Sequence, residues 1–247
     1  FNQIEKNKTS PVLGKFGQNG FSSDWGVRIV LEESELFNPR GYHTGSVWPL
    51  FTGWTALAEY KNGNSNQGYT HMMNNLLVYR YWAKGFIEEV LNGLEYKPSG
   101  VCRHQCWSQT MVSQPILEGM LGLESNAVEH KVSLSPSLPA HWDSFNVNNI
   151  KIGDHDLDFE MKRIEGTTTY QFAHSGRRRL LLSFAPFLPP GTEIHNVKLN
   201  GEVVGSGPAK SFPDRTMFIN NFWHNTKYVT NNAPHNILNL DGGKDHV

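Results

Sequence analysis

Apolar positions follow two different rhythms along this chain, and the change falls near Val132. Before it the recurrence is helical. Leu50, Trp54, Leu57 and Ala58 fall on one stripe of a first segment, which Gly63 ends. Ser46 is placed to cap this helix, and Pro49 falls in its first turn, where a missing N–H does no harm. Tyr69, Met72, Met73 and Leu76 mark a second helix over about 66–84, stopped by Gly85. Trp107, Met111, Ile116, Leu117 and Met120 mark a third over about 105–121, with Gly122 as its stop. Pro115 lies inside the third and predicts a kink or a late start. Residues 85–104 carry no period. A loop of that length in a compact domain is usually functional, and this one holds Glu88, Glu89 and Glu95.

After Val132 the period is two. Leu134 to Pro139 is a proline-marked linker. Asp156 to Lys162 alternates strictly, as a half-buried strand does; Glu165-Gly166 turns it, and Thr167 to Phe172 returns. Arg179 to Phe184 is a further strand. Val197 to Val204, with Asn200-Gly201 in the middle, is the strongest hairpin signal. Strands at this spacing predict an antiparallel β-sandwich. Residues 1–23 are polar and Gly-rich, and read as loop. Residues 206–247 are Asn-rich and read as a strap or tail.

Composition narrows the function classes. The chain has 247 residues, 38% hydrophobic, with a formal net charge of −1. That balance gives no footprint for nucleic acid. No run of about 18 apolar residues occurs, so no transmembrane helix and no membrane partner are expected. The chain begins with Phe1 and shows no signal-peptide pattern, so a processed product or a fragment is expected. Cys102 and Cys106 flank His104 at a spacing that is not a paired zinc arrangement. No metal site and no cofactor are expected.

The densest candidate chemistry lies between Asp24 and Pro49. Asp24-Trp25-Gly26-Val27-Arg28 is followed by Tyr42-His43-Thr44-Gly45-Ser46-Val47-Trp48-Pro49. Indoles offer flat faces to sugar rings, while Asp, Arg and His bond hydroxyls. A structural reading stands beside each: an Asp24–Arg28 pair, a loop-satisfying His43, and core packing for Trp48 and Trp107.

These two runs, with Glu89-Val90-Leu91-Asn92-Gly93 and His104-Gln105-Cys106-Trp107-Ser108-Gln109, resemble the C-terminal part of the (α/α)6-barrel glycoside hydrolases. The nearest set is the glycogen-debranching amylo-α-1,6-glucosidase type and its trehalase-like relatives. The likeness covers about residues 20–205, and the Gly-Ser-Val-Trp-Pro run is its strongest part. It implies an α+β multidomain chain: residues 1–130 as part of an (α/α)6 toroid of helical hairpins, 131–205 as the β-sandwich, and 206–247 as strap or tail. It also implies an inverting hydrolase of glucosidase or debranching type, acting on α-linked glucosides or oligosaccharides. Such enzymes set two carboxyl groups on opposite faces of the scissile bond. Glu89 matches the family's base. Glu88 stands where the family often has Pro, and is the residue most easily misread as the base. The family's acid, an Asp, has no match before Asp24, so Asp24 is assigned as acid or substrate-orienting group. Trp25, Arg28, His43, Trp48, Gln105 and Trp107 are the substrate-binding set. The expected partners are an oligosaccharide and either the missing first half of the barrel or a second copy of the chain. Two other readings remain open on these residues: a phosphorylase on the same fold, and a non-catalytic carbohydrate-binding or scaffold piece.

Overall fold

The computed structural model describes residues 22–23, 25–188, 193–208, 210–212, 215–217, 227–229 and 236–242. The chain divides between Leu121 and Gly122 into two compact units.

The N-terminal unit opens with a minimal hairpin, β1 (Ser22–Ser23) and β2 (Gly26–Val27). Turns then lead to helix α1 (Pro49–Lys61), α2 (Ser65–Leu76) and, far along the chain, α3 (Cys106–Gln114). A 3-10 turn, Leu77–Tyr81, extends α2. A partial toroid of helical hairpins is not what these residues form. Among the described residues there are three α-helices, and only α1 and α2 make a hairpin. The stretch that would have to supply the next helix holds Pro98 and two glycines in left-handed conformations, Gly85 (φ 84°) and Gly100 (φ 82°). It runs as an irregular, repeatedly bent loop instead, with isolated bridges joining Arg28 to Val47, Val47 to Leu91 and Leu91 to Pro98. Val47, Val78, Ile87 and Leu91 form a buried cluster there, with Trp25, Tyr96 and Val112 packed on it.

The helix faces also differ from the apolar stripes. Trp54 and Leu76 are exposed. The buried face of α1 carries Thr52, Gly53, Thr55, Ala56, Glu59 and Tyr60. Small residues win here because the helices approach closely: a Cβ on Gly53 would meet Met111 Cβ at 2.2 Å, and one on Gly119 would meet the Tyr60 ring at 2.8 Å. Asn75 on α2 donates to the carbonyls of both Pro49 and Met111, so one amide ties three helices. Buried Glu59 and His71 pair at 2.8 Å between α1 and α2. Ser46 does not cap α1. Its hydroxyl donates to Gly41 O, and the N-cap position is Trp48. At Pro115 the α-helix ends and a π-helical turn, Pro115–Met120, continues the path, with Leu121 N–H donating to Ile116 O. The wider turn accommodates the missing proline N–H.

The C-terminal unit is built from strands. Its short β3 (Glu124–Asn126) pairs with β4 (Lys131–Leu134). Long strands follow: β5 (Ser144–Ile152), β6 (His155–Ile164) and β7 (Thr167–Ser175). Next come β8 (Leu180–Phe184), β9 (Phe187–Leu188), β10 (Glu193–Leu199) and β11 (Glu202–Pro208). The last four are β12 (Lys210–Phe212), β13 (Arg215–Met217), β14 (Lys227–Val229) and β15 (Asn236–Gly242). One six-stranded antiparallel sheet has the order β11-β10-β15-β7-β6-β5. A four-stranded sheet, β14-β8-β4-β3, contains a parallel pair, β4 with β8, so the sheets are not purely antiparallel. A three-stranded sheet has the order β12-β13-β9. Alternation in β6 buries His155, Leu157, Phe159 and Met161. Phe184 of β8 packs on Phe159, Tyr170 and Phe172 of the six-stranded sheet, with ring centroids 4.8–5.9 Å apart. Asn200 and Gly201, both at positive φ, turn β10 into β11. Within residues 206–247, β15 is inserted between β10 and β7.

Candidate functional site

Glu88 and Glu89 lie on an irregular stretch, bent at Glu89, that backbone hydrogen bonds fasten on both sides. Val47 and Leu91 exchange N–H···O bonds of 3.0 and 2.8 Å. Glu89 N–H donates to Cys102 O at 2.9 Å, and Gln105 N–H donates to Ile87 O at 3.1 Å. The two adjacent carboxylates meet different partners, Glu88 the amides of the 100–102 loop and Glu89 the Tyr42 phenol.

Glu88 is fully buried, and its Oε1 accepts the amide N–H groups of Val101 and Cys102 at 2.8 and 3.1 Å. Burial holds its carboxyl above the ordinary glutamate range. The amides of Cys102, Val101 and Gly100, and then the Trp82 indole, oppose that shift. Its Oε2 and the Trp82 Nε1 are both buried without a hydrogen bond of normal geometry. Arg103 covers the Trp82 ring at 4.5 Å. Glu88 is thus the fastening of the 100–102 loop.

Glu89 faces the other way. Its Oε1 accepts the Tyr42 hydroxyl at 2.6 Å. This bond, then burial and the Glu89 charge, push the Tyr42 phenol up to about 12. Tyr42 packs edge-on against Trp48 with centroids 4.6 Å apart, and the Trp48 Nε1 donates to Tyr42 O at 3.0 Å. His43 is exposed and lies nearly parallel to the Trp48 ring, at 6.0 Å and 17°. Phe51 and Trp54 continue the run of rings at 5.6 and 5.5 Å. The result is a buried carboxylate at one end of a run of rings in which Trp48 is buried and His43 and Trp54 are exposed. Sequence reading placed Glu89, His43 and Trp48, and gave Tyr42 no role. The available signal was its position at the head of the same motif.

The other candidate residues stand elsewhere. Trp25 Nε1 donates to Asn92 O at 2.9 Å, and Arg28 Nε donates to Gly93 O at 2.7 Å. Arg28 also pairs with Glu32 at 3.0 Å. Both side chains fix the turn that follows Glu89. That turn has no room for a side chain at residue 93, where a Cβ would lie 2.2 Å from Gly45 O. Gln105 caps α3, accepting from Cys106 N–H at 2.9 Å. Trp107 is exposed on α3. Asp24 lies outside the described residues. A separate apolar recess of about 590 Å³ is lined by Leu76, Tyr79, Ile87, Gln109, Val112 and Ile116 among others, and not by Tyr42, Trp48 or Glu89.

No helix of the described residues is long and apolar enough to cross a membrane. No family model matches the chain. No curated protein matches it either. Among solved structures it is similar to a GH127 β-L-arabinofuranosidase from Geobacillus stearothermophilus T6, at 10% identity and a TM-score of 0.37. That match covers 93% of this chain and 36% of the enzyme's, so this chain spans about a third of that protein. A likeness at this level identifies neither the fold nor the reaction.

Proposed function

We propose that the N-terminal unit carries the water-activating and sugar-stacking part of a glycoside hydrolase site, acting on α-linked glucosides or oligosaccharides. The observation that supports this is the Glu89–Tyr42 pair set against the His43–Trp48 rings. In the proposed step Glu89 takes a proton from the attacking water. Tyr42 holds Oε1 in place. A second carboxyl group, for which Asp24 is the candidate, protonates the departing oxygen or orients the sugar. Trp25 and Arg28 act at one remove by fixing the 92–93 turn, and Gln105 by fixing the start of α3. Exposed His43 and Trp107 are surfaces on which a sugar ring can stack. The substrate class follows the motif resemblance to the debranching glucosidases.

The test is glucose release from α-linked oligosaccharides, with binding followed by calorimetry. Glu89→Gln is expected to lower turnover by roughly 10²–10⁴-fold while binding persists. His43→Ala, at an exposed position, is expected to weaken binding. Turnover that Glu89→Gln leaves unchanged overturns the base assignment. Sugar binding without turnover, retained in Glu89→Gln and lost in His43→Ala, would instead establish a carbohydrate-binding piece. Release of sugar phosphate that depends on added phosphate would establish a phosphorylase.

A further inference from the structure

At one end of the C-terminal unit three turns bring three imidazoles and a carboxylate together. His130 ends the turn between β3 and β4, and Asp154 sits beside Gly153 in the β5–β6 turn. His155 begins β6, His174 lies near the end of β7, and Arg178 follows in the link to β8. His130 Nδ1 is 2.8 Å from His155 Nε2, and His155 Nδ1 is 2.7 Å from His174 Nε2. Arg178 Nη1 lies 3.0 Å from His130 Nε2. Asp154 Oδ1 stands 3.5 Å from His155 Nε2 and 3.8 Å from His130 Nδ1. His155 is fully buried, while Asp154 is about half exposed.

The proton positions follow from the donors. A guanidinium only donates, so His130 Nε2 accepts from Arg178. A neutral His130 then carries its proton on Nδ1 and donates to His155 Nε2. His155 in turn carries its proton on Nδ1 and donates to His174 Nε2. The His155 Nε2 lone pair is therefore already aimed at the space shared with His130 and Asp154. A Cβ on Gly176 would come within 2.4 Å of His155 Nδ1, so glycine there lets the backbone close over the ring.

We propose that His130 Nδ1, His155 Nε2 and Asp154 Oδ1 form a site for a divalent transition-metal ion, and that Arg178 competes with the ion by holding His130 in the wrong tautomer. Three atoms of these residues lie within 4.8 Å of one another. Their separations of 2.8, 3.5 and 3.8 Å bracket the ~3.4 Å edge of a tetrahedron with bonds of about 2.0–2.1 Å. Two imidazoles and one carboxylate suit Zn²⁺, Co²⁺ or Ni²⁺ over Mg²⁺ or Ca²⁺. The His155–His174 bond is the outer support that fixes a ligating imidazole. The fourth position opens on the side of half-exposed Asp154, where water completes the shell. When the ion binds, the His130 proton moves to Nε2, and Arg178 turns away into solvent. This goes beyond the proposed glycosidase reading and is independent of it, because all five residues belong to the C-terminal unit.

The experiment uses the full, untagged chain, stripped of metal and titrated with Co²⁺ and then Zn²⁺. Expected are one equivalent of Co²⁺ with visible d–d bands, displaced by Zn²⁺, and a rise in the melting midpoint with Zn²⁺. Asp154→Asn and His130→Ala should each weaken binding at least tenfold, with circular dichroism verifying that both fold. Arg178→Ala should tighten it severalfold. No stoichiometric binding, or binding unchanged in both Asp154→Asn and His130→Ala, overturns the site. Arg178→Ala with unchanged or weaker affinity overturns the competition that is part of the proposal.

Discussion

Glu88 and Glu89 are neighbours in sequence and opposites in chemistry. Glu88 holds the amides of 100–102, and Glu89 accepts from a phenol. The consequence is measurable at Tyr42. Its hydroxyl is pushed up to about 12, chiefly by the bond to Glu89. A group whose folded value is raised contributes stability that is complete below its unfolded value near 10 and is lost as pH rises toward 12. In a spectrophotometric titration, subtracting the Tyr42→Phe curve from the parent is expected to isolate a phenol near 12. Glu89→Gln should bring that phenol down toward 10. A Tyr42 that titrates near 10 in the parent chain would break the proposed pair. Glu88→Ala is expected to cost about 1–3 kcal/mol in urea melts, because it releases two amides and leaves the Trp82 indole facing a void. Glu89 is singled out in the sequence only through a motif likeness, since two adjacent acids in a loop carry no signal of their own. Tyr42 escaped because nothing in a sequence shows which residue 47 positions away will accept its hydrogen bond.

At the scale of elements, helix–helix contact in this chain depends on small and polar residues. Gly53, Gly119 and Asn75 occupy the contact faces, and the large apolar residues Trp54 and Leu76 stand outward. A stripe of large apolar residues is thus a poor guide to the buried face here. It located the three helices, and of its members Met72, Met111 and Met120 are buried while Trp54, Leu76, Trp107 and Leu117 are exposed. The strands were easier, because a period of two leaves one assignment of faces, and β6 buries the alternating set. What the sequence concealed was the pairing of distant segments: β15 entering between β10 and β7, and the parallel β4–β8 pair. Neither leaves a local trace. Close helix approach also makes a prediction. Gly119→Ala sets a methyl 2.8 Å from the fully buried Tyr60 ring. Overpacking of that kind costs about 1–3 kcal/mol. Denaturant unfolding of Gly119→Ala should show a lower midpoint with an unchanged slope, and an unchanged midpoint would mean the helices part freely at that point.

At the scale of the whole chain, the division at Leu121 separates two cores of different make. One is helical and carries a buried polar pair, Glu59 with His71. The other is a stack of rings centred on Phe159, within 5.2 Å of Phe172 and 6.0 Å of Tyr170. The effect of a change in either core on melting reports whether the two cores unfold as one. His71→Ala strands the Glu59 carboxylate among buried neighbours, at a cost of about 3–5 kcal/mol. Phe159→Ala opens a cavity of a whole ring, at a similar cost of about 3–5 kcal/mol. Calorimetry of the parent chain is expected to resolve two transitions, with His71→Ala lowering one and Phe159→Ala the other. A single transition moved by both substitutions would show one cooperative fold, and would require the two cores to be treated as coupled.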